Sequence, residues 1–143
     1  MSAQRLSDPS VEPVSLAELR DWLRVDSTTE DALLANLATT ARLALEGHTR
    51  RGFVSQNWRF TYSSCGCPGL MRLPLGPLRS LIALRCYDAG DVATTLPSAA
   101  VALDFDDQRP ALRILDAAAR TKSVRFEVDV AIGYGDSAAS VPA

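Results

Sequence analysis

Four groups of residues in this sequence have side chains that could do chemistry. His48 is the only histidine, and a nucleophilic triad would have to be built on its imidazole, with a serine or cysteine and a carboxylate close by in space. It sits among Gly47, Thr49, Arg50 and Arg51, at what the surrounding pattern makes a helix end, and the chain contains no G-x-S-x-G elbow. A surface or capping role therefore outweighs catalysis. Cys65-Gly66-Cys67 has the look of half a metal site, but structural zinc takes about four ligands, commonly in C-x-x-C pairs. Only Cys86 and His48 remain as further soft ligands, and Cys86 falls at an apolar strand position, so the pair reads as a solvent loop. Asp104, Asp106 and Asp107 are the densest acidic cluster, yet the central glycine and closing glutamate of a calcium loop are missing and a solvated turn fits better. Gly133-Tyr134-Gly135-Asp136 has closely spaced glycines but no G-x-x-x-x-G-K-[ST] pattern and no lysine nearby; a strand exit needing positive φ explains it. These residues assign no catalytic group, no cofactor and no metal.

The charge balance narrows the partners. The 143 residues carry 15 basic and 17 acidic side chains. The balance holds in both halves, with 7 basic and 8 acidic over residues 1–62 and 8 and 9 over 63–143. No positive stripe marks a duplex-binding surface, which weighs against tight DNA binding by one subunit and leaves open a ring through which DNA slides. No apolar run reaches transmembrane length, and no apolar stretch of a signal peptide follows Arg5. The expectation is a protein made in the cytoplasm, with no membrane partner and with its odd set of three cysteines reduced.

The elements that must position these residues follow from periodicity. Residues 1–13, bracketed by Pro9 and Pro13 and lacking a hydrophobic period, read as a flexible arm; residues 14–143 read as a single domain. Ser15 and Glu18 form a capping box, Val14 and Leu19 a hydrophobic staple, and Leu16, Leu19, Trp22 and Leu23 line one face of a helix to about Arg24. Ser27 and Glu30 repeat the box before a second helix, whose broad apolar stripe runs through Leu33, Leu34, Leu37, Ala38, Ala41, Ala44 and Leu45 and ends between Gly47 and Gly52. From Val54 the period changes to two. Val54, Trp58, Phe60 and Tyr62 alternate with polar residues. Ile82, Leu84 and Cys86 form another strand, turned by Asp88-Ala89-Gly90-Asp91 into Val92–Leu96. Shorter strands are expected over 101–105 and 112–115. The clearest is the last, with Val124, Phe126, Val128, Val130 and Ile132 on one face. Helices at about 15–51 followed by five or six mostly antiparallel strands at about 54–133 make an α+β fold, with a further helix expected beyond Pro142.

The pattern as a whole resembles the head–tail connector (adaptor) family of tailed bacteriophages, which includes the adaptors of gene transfer agents. Four stretches carry the likeness: Pro13-Val14-Ser15-Leu16-Ala17-Glu18 with Leu23-Arg24-Val25-Asp26; Glu30-Asp31-Ala32-Leu33-Leu34; Thr49-Arg50-Arg51-Gly52-Phe53 leading into Gln56-Asn57-Trp58; and Gly133-Tyr134-Gly135-Asp136 with Val141-Pro142. The resemblance implies a non-enzymatic subunit of a virion or phage-like particle. It implies a ring of about a dozen copies beneath the portal protein, with stopper or tail proteins on the other side and DNA passing without sequence specificity. Gly133, Tyr134, Gly135, Asp136, Val141 and Pro142 are the segment expected nearest the portal. Family members continue past the Val-Pro motif into a further helix and a tail that holds the portal, so a longer native product is expected. The rival reading is another tail or assembly binding module of the same α+β build; an enzyme ranks third.

Overall fold

The computed structural model describes residues 1–63, 69–106 and 109–142. Strands β1 (Ser2–Ser7), β2 (Gln56–Tyr62), β4 (Leu78–Tyr87), β5 (Ala93–Leu96) and β8 (Arg125–Ile132) form a five-stranded sheet in the order β1-β2-β8-β4-β5; β3 (Leu70–Arg72), β6 (Val101–Asp104) and β7 (Ala111–Ile114) form a second sheet in the order β3-β7-β6. All the strand pairs are antiparallel. Helices α1 (Leu16–Leu23) and α2 (Asp31–Thr49) lie between β1 and β2 in the chain, and a short α3 (Ala117–Lys122) links β7 to β8. The fold is α+β, as the segregated periods require.

The alternation in β8 places it at the centre. Phe126, Val128, Val130 and Ile132 are fully buried and pack with Phe60, Leu84, Leu112 and Ile114 between the two sheets. A side chain of this size stabilises by about 1.5–3 kcal/mol when removed from water, so this row anchors the core. The opposite face of β8 departs from the expectation of solvent. Asp129 is buried, where it accepts a bidentate pair from Arg59 (2.7 and 2.8 Å) and a third bond from Arg85 (2.8 Å). Register explains this: Asp129 stands opposite Arg59 on β2, and its other neighbour strand carries Arg85 two residues beyond its partner Ala83.

The hydrogen bonds from Arg59, then that from Arg85, hold the Asp129 carboxyl below its ordinary range against the cost of burial. A depressed folded-state pKa contributes stability above the unfolded value of about 4, and that stability is lost as pH falls through the folded value. The protein is therefore expected to lose thermal stability below about pH 4. In Asp129→Asn, the deficit seen at pH 7 should shrink as acid protonates the wild-type carboxyl. Melting curves from neutral to acid pH read this directly; a constant gap between the two proteins would show that Asp129 does not titrate through this range.

Several expectations need correction. Residues 2–7 are not a loose arm. They pair with β2 over Ser2↔Thr61 to Ser7↔Asn57, because an edge strand needs only main-chain partners and one anchored side chain, here Arg5 over the Trp58 ring at 5.1 Å. The second capping box does not form, since the Ser27 hydroxyl bonds Thr29 (2.5 Å) and Glu30 makes no side-chain cap bond. Ile82 does not share a face with Leu84 and Cys86. A register shift between Leu81 and Ala83 turns it outward to 52% exposure, the ordinary consequence of a bulge. The α2 stripe is not mainly core: Leu34 is buried, but Leu33, Leu37 and Leu45 are exposed and the other buried positions are Arg42 and Glu46. Ala138–Ser140 form a 3-10 turn, after which Val141 is extended. The first capping box forms as read, with Glu18 N donating to Ser15 Oγ (3.2 Å) and Ser15 N to Glu18 Oε2 (2.8 Å).

Candidate assembly surface

The segment that leaves β8 is fixed to the exit of α2. Gly133 has φ +121° and lies against the Val54 backbone so closely that a Cβ would stand 2.7 Å from its carbonyl carbon and oxygen. Tyr134 N then donates to Phe53 O (3.0 Å) and Ser55 N to Gly135 O (2.8 Å), closing a parallel bridge between Val54 and Gly135. The Arg51 guanidinium donates to the Tyr134 hydroxyl and lies 5.9 Å from its ring centroid. Asp136 receives Arg79 Nη1 at 2.6 Å, and hydrogen bonds from Ser55 and Arg79 hold its carboxyl below the usual range.

Beyond that bridge the chain turns through Ala138–Ser140 and lays Val141 and Pro142 into an apolar groove of about 320 Å3. Pro13, Val14, Leu19, Leu45 and Phe53 complete its walls. Three of the four stretches quoted for the resemblance, the first, third and fourth, thus meet in one place, although 128 positions separate Pro13 from Val141. The second stretch, Glu30–Leu34, lies at the other end of α2 and does not line the groove.

A buried charge network sits behind the groove and was not legible from residue types. Glu12 at the rim accepts from Arg42 Nε (2.7 Å) and Nη2 (3.2 Å) and from Thr39 Oγ1 (2.9 Å). Burial alone would raise the Glu12 carboxyl; the bonds from Arg42 and Thr39 outweigh it and hold it low. Arg42 passes on to Glu46 (3.1 Å), whose other oxygen accepts Phe53 N (2.9 Å) and Gln56 Nε2 (2.7 Å). The only trace in the sequence is the i,i+4 spacing of Arg42 and Glu46 on a helix.

The other candidate residues do not gather into a site. His48 is exposed near the end of α2. Cys86 is buried in the core; Cys65 and Cys67 lie outside the described residues, as does Asp107. Asp104 Oδ1 accepts from Asp106 N (3.3 Å) and Asp106 Oδ1 from Arg109 N (2.9 Å). Among the described residues no group of three or more His, Cys, Asp or Glu could hold a metal ion, and no helix is long and apolar enough to cross a membrane. What the arrangement offers is a shaped apolar groove framed by charge.

Comparison with known proteins points to one kind of assembly. The chain is similar to a chain in the neck of an empty gene transfer agent (GTA) particle computed with C6 symmetry, at 28% identity and a TM-score of 0.80, over 99% of this chain and 76% of that one. It is similar to a chain of the virion of a native GTA particle, at 28% identity and a TM-score of 0.79, with 99% and 76% covered. A third likeness, at 26% identity and a TM-score of 0.77 over 99% of this chain and 75% of the other, is to the neck of a native GTA particle computed with C12 symmetry. No family model matches the chain, and no curated protein matches it.

Proposed function

We propose that this protein is a head–tail connector subunit of a gene transfer agent or related phage-like particle, forming a ring of about twelve copies beneath the portal and lining the DNA channel. The observation that carries this reading is the likeness over 99% of the chain to chains of two GTA necks, both computed with cyclic symmetry. The convergence of Pro13, Val14, Phe53, Val141 and Pro142 on one groove supports it further, since it brings three of the stretches that carry the resemblance onto one surface. On this reading Gly133–Asp136 and Val141–Pro142 lie nearest the portal, stopper or tail proteins meet the opposite side, and DNA passes without sequence-specific contact. The subunit is assembled in the bacterial cytoplasm and acts mechanically, without catalysis or cofactor.

The test is an electron-microscopy reconstruction of particles from cells carrying the gene, with the subunit counted by quantitative mass spectrometry. The expected result is density for this chain around the neck axis in a cyclic arrangement, at about a dozen copies per particle. One or two copies, or density away from the axis, would overturn the reading.

A further inference from the structure

The helical hairpin ends in a tip that the rest of the chain does not cover. Trp22 is 87% exposed, with Leu23 exposed beside it. Around them stand Asp21, Asp26 and Glu30, whose carboxylates make no ion pair among the described residues, with Arg24 as the single opposing charge. The tip is held in shape by the bidentate pair from Arg20 to Asp31 (2.8 and 2.7 Å). A large aromatic side chain left in water within an acidic rim is the form of an interface anchor, and a monomer gains nothing from it.

The complementary surface is on the same chain. Arg50, Arg72 and Arg109 converge on a groove of about 380 Å3 whose floor is Leu73, Pro74 and Leu75. Among the described residues these guanidiniums have no ion-pair partner and no carboxylate lines the groove. Arg50 is the C-cap of α2 and Glu30 its N-cap. At 1.5 Å per residue, the 19 residues between them separate the two surfaces by about 28 Å. One copy cannot close tip onto groove. A contact between opposite ends of the same subunit, repeated head to tail, generates a ring when the rotation closes.

We infer that the hairpin tip of one copy docks into the arginine groove of the next. Trp22 and Leu23 lie on the apolar floor, and Asp21 and Glu30 face Arg72 and Arg109. The inference rests on the ring reading above and names the surfaces that build the ring. A DNA backbone would satisfy the arginines but has no use for the leucine–proline floor, and it leaves Trp22 uncovered; a second copy satisfies both ends at once.

The test uses charge exchange in particle-producing cells, with copies per particle counted by mass spectrometry. Arg72→Glu/Arg109→Glu should lower incorporation about tenfold or more, and adding Asp21→Arg/Glu30→Arg in the same chain should restore it. Trp22→Ala should fail to incorporate while melting within a few degrees of wild type, which separates lost docking from lost folding. Normal incorporation of the groove variant in multiple copies would overturn the contact and leave the ring standing. Loss without rescue would assign the groove to another partner and also overturn it. Loss of low-salt DNA binding with incorporation intact would hand the groove to nucleic acid. Wild-type protein present at one or two copies would remove the ring itself, and this contact with it.

Discussion

Replacing Gly133 with alanine is expected to lower stability by about 3 kcal/mol, a fall of about 10 °C in melting temperature for a domain of this size. Two independent causes act at this position. Its φ of +121° lies where a side chain is rarely tolerated. A Cβ would also stand 2.7 Å from the Val54 carbonyl carbon and oxygen and 2.8 Å from Ser55 N, which are backbone atoms that cannot rotate away. Relief requires opening the Val54–Gly135 bridge, and with it the bond from Tyr134 N to Phe53 O. Gly47→Ala is the matched control. Nothing lies within 4 Å of a Cβ there and the residue is inside α2, so alanine should add about 0.5–1 kcal/mol. Thermal melts of the three proteins give the answer, and the account of Gly133 fails if G133A melts with wild type.

The contrast between those two glycines marks what the sequence can and cannot announce. The Gly133–Asp136 run reads as a strand exit needing positive φ, and so it is, because the demand is local. The pairing of that exit with residues 53–55 depends on where a distant strand lands. The same division recurs along the chain. The first capping box forms because Ser15 and Glu18 need only each other, whereas the identical spacing of Ser27 and Glu30 fails once the Ser27 hydroxyl has Thr29 closer to hand. The central position of β8 is legible from its unbroken alternation. The burial of Asp129 is not, since two arginines become its partners only through register with β2 and β4. β1 has no apolar face to display, so nothing in residues 2–7 distinguishes an edge strand from an arm. The groove suffers most in this respect: each apolar wall residue reads as an ordinary hydrophobic side chain, and only the fold makes Pro13 and Val141 neighbours.

The buried charge behind the groove is the second place where a single substitution should act strongly. Glu46 is only 5% exposed and gathers partners from three elements: Arg42 Nη1 on its own helix (3.1 Å), Phe53 N in the connection (2.9 Å) and Gln56 Nε2 on β2 (2.7 Å), with Arg5 of β1 at 3.8 Å. Leu33, Leu37 and Leu45 of α2 are exposed, and this carboxylate ties the helix to the sheet through polar contacts. Removing one partner of a buried pair costs about 3–5 kcal/mol, because the groups left behind are neither solvated nor paired. Glu46→Ala leaves Phe53 N and Gln56 Nε2 without an acceptor, while Arg42 retains Glu12 at 2.7 Å, so a loss near the lower end of that range is expected. Glu46→Gln keeps an acceptor but loses the charge opposite Arg42, and should fall between alanine and wild type. Urea unfolding of the three proteins measures the ordering, and amide exchange at Phe53 reports whether its N–H has been released. Should E46A cost less than about 1 kcal/mol, or Phe53 stay protected in it, the helix must be held to the sheet by something other than Glu46. The consequence for assembly follows from the geometry: Phe53 and Arg42 line the groove, so a helix freed at Glu46 moves the surface that Pro13, Val141 and Pro142 complete. A destabilised E46A that still folds should therefore incorporate into particles less well than its stability alone predicts.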